Sequence, residues 1–238
     1  MGARETVEVE PPNEILTNSL ALDNQSTMFR AMGRTSDADE RLMTAALDLM
    51  WDEGYSAVTI DEICARADVR KGSFYYYYKS KAELAVAALE KLWTGEWMPR
   101  LDREFSAAAE PLDRIANYLA GLYARQTENV KKHGKVLGCP IGSVGNEVST
   151  LEIDVNAKIR EIMGRKRRYF ESAIRDAIAN GSIEPCDPVQ KAQSIEFLVQ
   201  GALSQARILN NAELLRDLPA TALQMLRPKA AVTAGAAR

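Results

Sequence analysis

From residue 37 onward the chain carries apolar residues at helical spacing almost without interruption. In DADERLMTAALDLMWDEGY, residues 37–55, Leu42, Ala45, Ala46, Leu49 and Met50 fall on one face, and Gly54 marks the end of the helix. TIDE follows, with Thr59 placed to cap a short second helix and Glu62 to complete a capping box. Ile60, Ile63, Cys64 and Ala67 form the inner face of that helix, which ends near Asp68. Ser80 and Glu83 form a second capping box at the head of the long helix AELAVAALEKLW. The gap between the two boxes holds one more short helix, from about Lys71 to Tyr78. It follows a turn at Ala67-Asp68-Val69, where aspartate tolerates a left-handed backbone. This pattern is a helix-turn-helix.

Further along, the spacing predicts a helix from Pro111 to His133, the loop KKHGKVLGCPIGS, and one or two helices between Glu147 and Gly181. DPVQKAQSIEFLVQGALSQARIL then opens with Asp187 as N-cap and Pro188 in the first helical position. Its Ile195, Leu198, Val199, Ala202, Leu203 and Ile208 occupy more than one face, which predicts burial on several sides. Residues 1–34 show no sustained period and contain a Pro-Pro pair, so they read as a mobile arm. Residues 228–238 read as a frayed tail.

Charge changes the picture at one place. The whole chain has a net charge of −3, yet Arg66, Arg70, Lys71, Lys79 and Lys81 stand together against the single acid Asp68. Inside that basic island lies KGSFYYYYKSK. Phe74 and Tyr78, four apart, face the core, which leaves Tyr75, Tyr76 and part of Tyr77 on the outer face beside Arg70, Lys71 and Ser73. A phenol offers a rigid ring and a hydroxyl that donates to phosphate oxygens.

These residues carry a resemblance. TAALDLMWDEGYSAVTIDEICARA and ADVRKGSFYYYYKSKAEL are similar to the two halves of the DNA-binding domain of TetR-type bacterial transcriptional regulators. The match includes the spacing of Gly54-Tyr55, Thr59, Ile63, Gly72, Tyr75 and Ser80-Lys81. The resemblance implies an all-α protein. A three-helix domain, residues 35–82, would place its third helix in the major groove of double-stranded DNA, and a larger helical domain, residues 83–227, would form a homodimer and bind a small-molecule effector. It puts Thr59 and Lys81 on phosphates, Arg70, Lys71 and Ser73 near base edges, Gly72 where close approach is needed, and Tyr75, Tyr76 and Tyr77 on the DNA backbone. It also implies a two-fold four-helix interface built from the 187–209 helix and the helix carrying Ile162, Phe170, Ile174 and Ile178. Arg70 and the Tyr76-Tyr77-Tyr78 run depart from the commoner family residues, so the operator is not transferable. The expected function is a repressor released from a palindromic operator by its effector.

Candidates for the effector site are Trp93, Trp97, Tyr118, Tyr123, Cys139, Phe197 and Arg207. Two readings stay open for Arg207: an internal ion pair with Glu196, Glu147 or another acid, or a contact to an acidic ligand. Two stay open for Cys139: a buried structural thiol, or a reactive one that would make the protein a thiol-based sensor of electrophiles or oxidants. The run Arg165-Lys166-Arg167-Arg168 reads as a solvated face. GCPIGSVG lacks the GK[ST] of a phosphate loop. With one histidine and no GxSxG, HExxH or GxGxxG, an enzyme is not expected, nor is a cofactor or metal. Three cysteines without CxxC spacing suggest neither disulfides nor zinc. The absence of a long apolar run or signal peptide places the protein in the cytoplasm, with no membrane partner.

Overall fold

The structure is a computed structural model that describes residues 37–148 and 152–229. The predicted arm, part of the tail and residues 149–151 lie outside the described residues. Helix α1 covers residues 37–52, followed by α2 (Ile60–Ala67), α3 (Lys71–Tyr77) and α4 (Lys81–Leu92). A π-helical turn, Trp93–Trp97, runs into α5 (Met98–Glu104). Next come α6 (Pro111–His133), α7 (Pro140–Val148), α8 (Ile153–Ala179) and α9 (Pro188–Ile208). A 3-10 turn (Ala212–Leu215) and α10 (Leu218–Leu226) complete the described chain. The described residues contain no strand, only an isolated bridge between Ile183 and Pro228. The fold is all-α, as the sequence pattern indicates.

Local chemistry sets the ends of these helices. Thr59 and Glu62 form the full capping box, and Asp68 ends α2 with a left-handed backbone, φ 51°. Asp187 caps α9 through Val189 and Gln190, with Pro188 just inside. At α4 the expected box is only half formed. Ser80 Oγ accepts from the Glu83 amide, but the Glu83 carboxylate turns one residue back and accepts from the Lys79 amide. Gly54, at φ 101°, closes α1, and a Cβ there would sit 2.6 Å from the Glu147 carboxylate. That carboxylate instead accepts the Ser56 amide at 2.8 Å, so the turn after α1 is held by the end of α7. Glu147 therefore belongs to α7 and does not open a later helix.

The amino-terminal core consists of Leu42, Ala46, Leu49, Ile63 and Phe74, with Leu84 and Ala85 of α4 closing it. Helix α4 continues into the larger bundle, where it packs on α8. Helix α8 also contacts α6 and α9, while α10 packs on α6 and α9. Phe105, Tyr118, Tyr169 and Phe170 form an aromatic cluster at its centre. Two expectations need correction. Ile162, Phe170 and Ile174 are buried by their own chain and not free for a partner. Helix α9 is not buried all round: Ile195, Val199 and Leu203 face the core, whereas Phe197 is 64% and Ile208 70% exposed.

Candidate DNA-contact face and effector cavity

Helix α3 divides its aromatic run between core and surface. Phe74 is wholly buried and Tyr78 nearly so, its hydroxyl donating to Asp39 on α1. Burial, and that bond to the Asp39 carboxylate, push the Tyr78 phenol well above its ordinary pKa. Tyr75 and Tyr76 are 53% and 76% exposed, and Tyr77 is partly buried, edge-on to Tyr76. Arg70, Lys71 and Gly72 are exposed on the same short helix, with Ser73 half-buried beside them. A Cβ on Gly72 would meet nothing among the described residues, so their packing does not require a glycine there. Lys71 Nζ lies 2.7 Å from Asp61 on α2, in an exposed pair that costs little to exchange for a phosphate.

Two of the residues expected on phosphates are occupied differently. Thr59 is exposed at the head of α2, but its hydroxyl is engaged by Glu62 as donor and acceptor. Lys81 departs further. Its ammonium donates to the carbonyls of Tyr55 and Val58, both at 2.7 Å, and sits 4.3 Å from the centre of the Tyr55 ring. Lys81 thus pins the start of α4 to the turn before α2.

The effector candidates scatter. Trp97, Tyr118 and Cys139 line one cavity of about 240 Å³ between the π-helical turn, α6, the Gly138-Cys139-Pro140 turn, α8 and α9. Trp93, Tyr123 and Phe197 do not. Trp93 is buried against Tyr169 and the Arg165 guanidinium. Tyr123 donates to Glu213 at 2.7 Å and accepts from Arg216, which ties α6 to the 3-10 turn. Phe197 points out of the bundle. Cys139 also borders a second hollow of about 480 Å³ on the outer side of α7, α8 and α9. Its sulfur accepts from the Gly142 amide at 3.3 Å and from Gln200 Nε2 at 3.6 Å.

Among the described residues Arg207 pairs with no carboxylate, and it does not line the inner cavity. Its guanidinium donates to Ser143 Oγ and to the carbonyls of Leu137, Trp51 and Asp52, the last two at 3.3 and 3.4 Å. It therefore caps the free carbonyls at the end of α1 from the last turn of α9. Beside it Trp51 Nε1 donates to Leu137 at 3.0 Å, and Lys135 pairs with Asp52. Trp51 also lines the inner cavity. A single seam thus joins the cavity's 138–140 turn to α1 and the half of the chain that carries α3.

The basic run on α8 is not a solvated face. Lys166 is only 4% exposed and lines the cavity. Burial works against its ammonium, but Tyr118, Cys139 and Glu196 outweigh that and raise its pKa. Arg165 pairs with Glu90, and Arg167 binds Glu196 at 2.7 Å, leaving only Arg168 exposed. Arg100 and Arg125 also line the cavity and were not anticipated from the sequence. The spacing was there to be read: Lys166 lies between Ile162 and Phe170 on an apolar stripe, and Arg125 follows Tyr118 and Leu122 on another.

Residues 42–88 match the family described as "Bacterial regulatory proteins, tetR family", and residues 111–221 match "Tetracyclin repressor-like, C-terminal domain". The chain is 31% identical to the transcriptional regulator AcuR of Cereibacter sphaeroides, over 72% of this chain and 77% of that protein. It is 28% identical to the HTH-type transcriptional repressor NemR of Escherichia coli K12, over 76% of this chain and 89% of NemR. The crystal structure of E. coli NemR in its reduced form superposes with a TM-score of 0.69, at 28% identity, covering 79% of this chain and 96% of that one.

Proposed function

The chain belongs to the TetR family of bacterial transcriptional regulators, and on that premise we propose that it is a dimeric repressor whose palindromic operator is released when a small molecule fills the cavity between α6, α8 and α9. The reading rests chiefly on the seam between Trp51, Leu137 and Arg207. Trp51 touches both the cavity and the loop carbonyl, and Arg207 holds the end of α1. A ligand that displaces Trp51 or the 138–140 turn shifts α1, and α3 moves with it because Phe74 and Tyr78 pack against α1. The two recognition helices of a dimer then no longer match half-sites about 34 Å apart. Arg70 and Lys71 would read base edges, while Tyr75, Tyr76 and the first turns of α2 and α4 hold phosphates.

The test begins with sequencing the DNA that the purified protein retains. Affinity for that operator is then measured in Trp51→Phe, which keeps an aromatic side chain and loses the indole N–H bond to Leu137. Effector-driven release should weaken while binding without effector persists. Unchanged release would refute the seam as the route.

A second reading has its own support in Cys139, which borders both hollows and receives two N–H donors, and in NemR, a relative solved in a form described as reduced. In that reading Cys139 is the sensor, and Cys139→Ser abolishes release by electrophiles while leaving release by unreactive ligands intact.

A further inference from the structure

The inner cavity collects positive charge that the chain itself leaves under-paired. Arg100 on α5 and Arg125 on α6 both line it, and Arg125 Nη2 and Arg100 Nε are buried with no hydrogen-bond partner among the described residues. Arg125 meets Glu104, whose Oε1 lies 3.5 Å from Arg125 Nη1, at the limit of a bond, and whose Oε2 has no hydrogen-bond partner among the described residues. Burial, and then the neighbouring Arg100, depress the Arg125 pKa. The two guanidiniums thus stand close enough to act on one another, beside the Glu104 carboxylate. On the α8 wall Lys166 lies 3.6 Å from Glu196 Oε1, while the other oxygen of that carboxylate binds Arg167 at 2.7 Å. The acids Glu96 and Glu128 reach the cavity from exposed positions, and Glu128 pairs outward with Lys131. The remaining lining includes Leu92, Trp97, Leu122 and Val199.

Resting on the reading of this cavity as the effector site, we infer that its ligand is a small organic carboxylate. Its two oxygens are gripped by Arg100 and Arg125, its charge is balanced further by Lys166, and its apolar body lies against Trp97, Leu122 and Val199. A buried guanidinium N–H without a partner is costly, and the fork of an arginine matches a carboxylate. A cavity of about 240 Å³ holds a short acid and not a large conjugate. Arg207, already committed to four oxygens of its own chain, takes no part.

Trp51 and Trp97 line the cavity, so binding can be read directly in the full-length protein by tryptophan fluorescence. Straight-chain carboxylates of two to eight carbons are titrated, each matched with its primary amide, its primary amine and an alkyl phosphate. At least one acid should bind about tenfold or more tightly than its amide and amine, and Arg125→Gln and Arg100→Gln should each erase that preference. The double variant Glu104→Gln/Arg125→Gln should melt close to the wild-type temperature. It separates loss of the ligand from loss of the fold, since both members of the weak pair go together. Binding of amides or amines as well as of acids, a preference for alkyl phosphates, or no binding by any acid would each overturn the carboxylate. Operator release is followed in parallel. Acids that bind through Arg125 without releasing DNA would sink the proposed repressor switch and leave the ligand class standing. Release by amines through the cavity would do the reverse.

Discussion

Among single residues, α3 separates stability from recognition most sharply, because neighbours in sequence lie on opposite sides. Phe74→Ala empties a wholly buried site and should cost ~3–5 kcal/mol of folding free energy, read as a lower melting temperature. Tyr76→Phe removes a hydroxyl from an exposed ring, so melting should hold while operator affinity falls. Equal melting losses in both variants would contradict the split. That division was legible in the sequence because it depends only on the four-residue spacing of Phe74 and Tyr78. The fate of Lys81 was not, since its two acceptors are carbonyls of a turn some 25 residues away, which no local pattern reports. Lys81→Met should therefore lower stability by about 1–2 kcal/mol and leave the salt dependence of operator binding unchanged. A flatter salt dependence would return Lys81 to the phosphates.

At the scale of elements, α4 is the shaft shared by both halves, and Glu90 fixes its rotation against α8. The Glu90 carboxylate lies 2.9 Å from Arg165 and 3.0 Å from Lys158. Burial tends to raise its pKa, but hydrogen bonds from Arg165 and Lys158 outweigh that and hold it below the usual carboxylate range. A depressed folded pKa means the stabilisation is fully present above the unfolded value, about 4.3, and is lost as pH falls through the lower folded value. Glu90→Gln should lower stability near pH 7 by about 0.5–1 kcal/mol, since solvent screens the pair, and should flatten the acid limb of the stability curve below pH ~4. An unchanged acid limb would show the network to be idle. Caps and turns such as Thr59, Asp68 and Asp187 could be read in advance because each is written in a few adjacent residues. The cationic lining of the cavity could be read only in part: the spacing sets Lys166 and Arg125 on apolar stripes, but which helices cover α8 and α6, and so which cations share one cavity, is not written in adjacent residues.

For the whole molecule, the outer faces of α8 and α9 form a surface whose residues make little sense for an isolated chain. Along α9, Val189, Phe197 and Ile208 are exposed at helical spacing. Gly201 on the same helix and Gly164 on α8 stand mid-helix, where glycine costs about 1 kcal/mol relative to alanine, yet a Cβ at either would meet nothing among the described residues. Exposed apolar side chains beside open glycines suit the close approach of another helical face, and a two-fold axis supplies it from a second copy. The hollow on the outer side of α7, α8 and α9, which includes Met163, Ser204 and Ile208, would then lie at that junction. The sequence expectation built that interface on the helix of Ile162, Phe170 and Ile174, which the chain's own core takes instead, because a period of 3.6 identifies an apolar stripe without saying which partner covers it. Phe197→Glu puts a charge on that exposed apolar face while leaving the chain's own core untouched. It should yield a folded monomer in sedimentation and weaken operator binding by about 100-fold or more, since each half-site must then be bound separately. Gly201→Leu should act in the same direction through bulk alone. If both variants remained dimers with full operator affinity, the copies would have to meet through another surface, and the route from cavity to half-site spacing would need to be drawn through it.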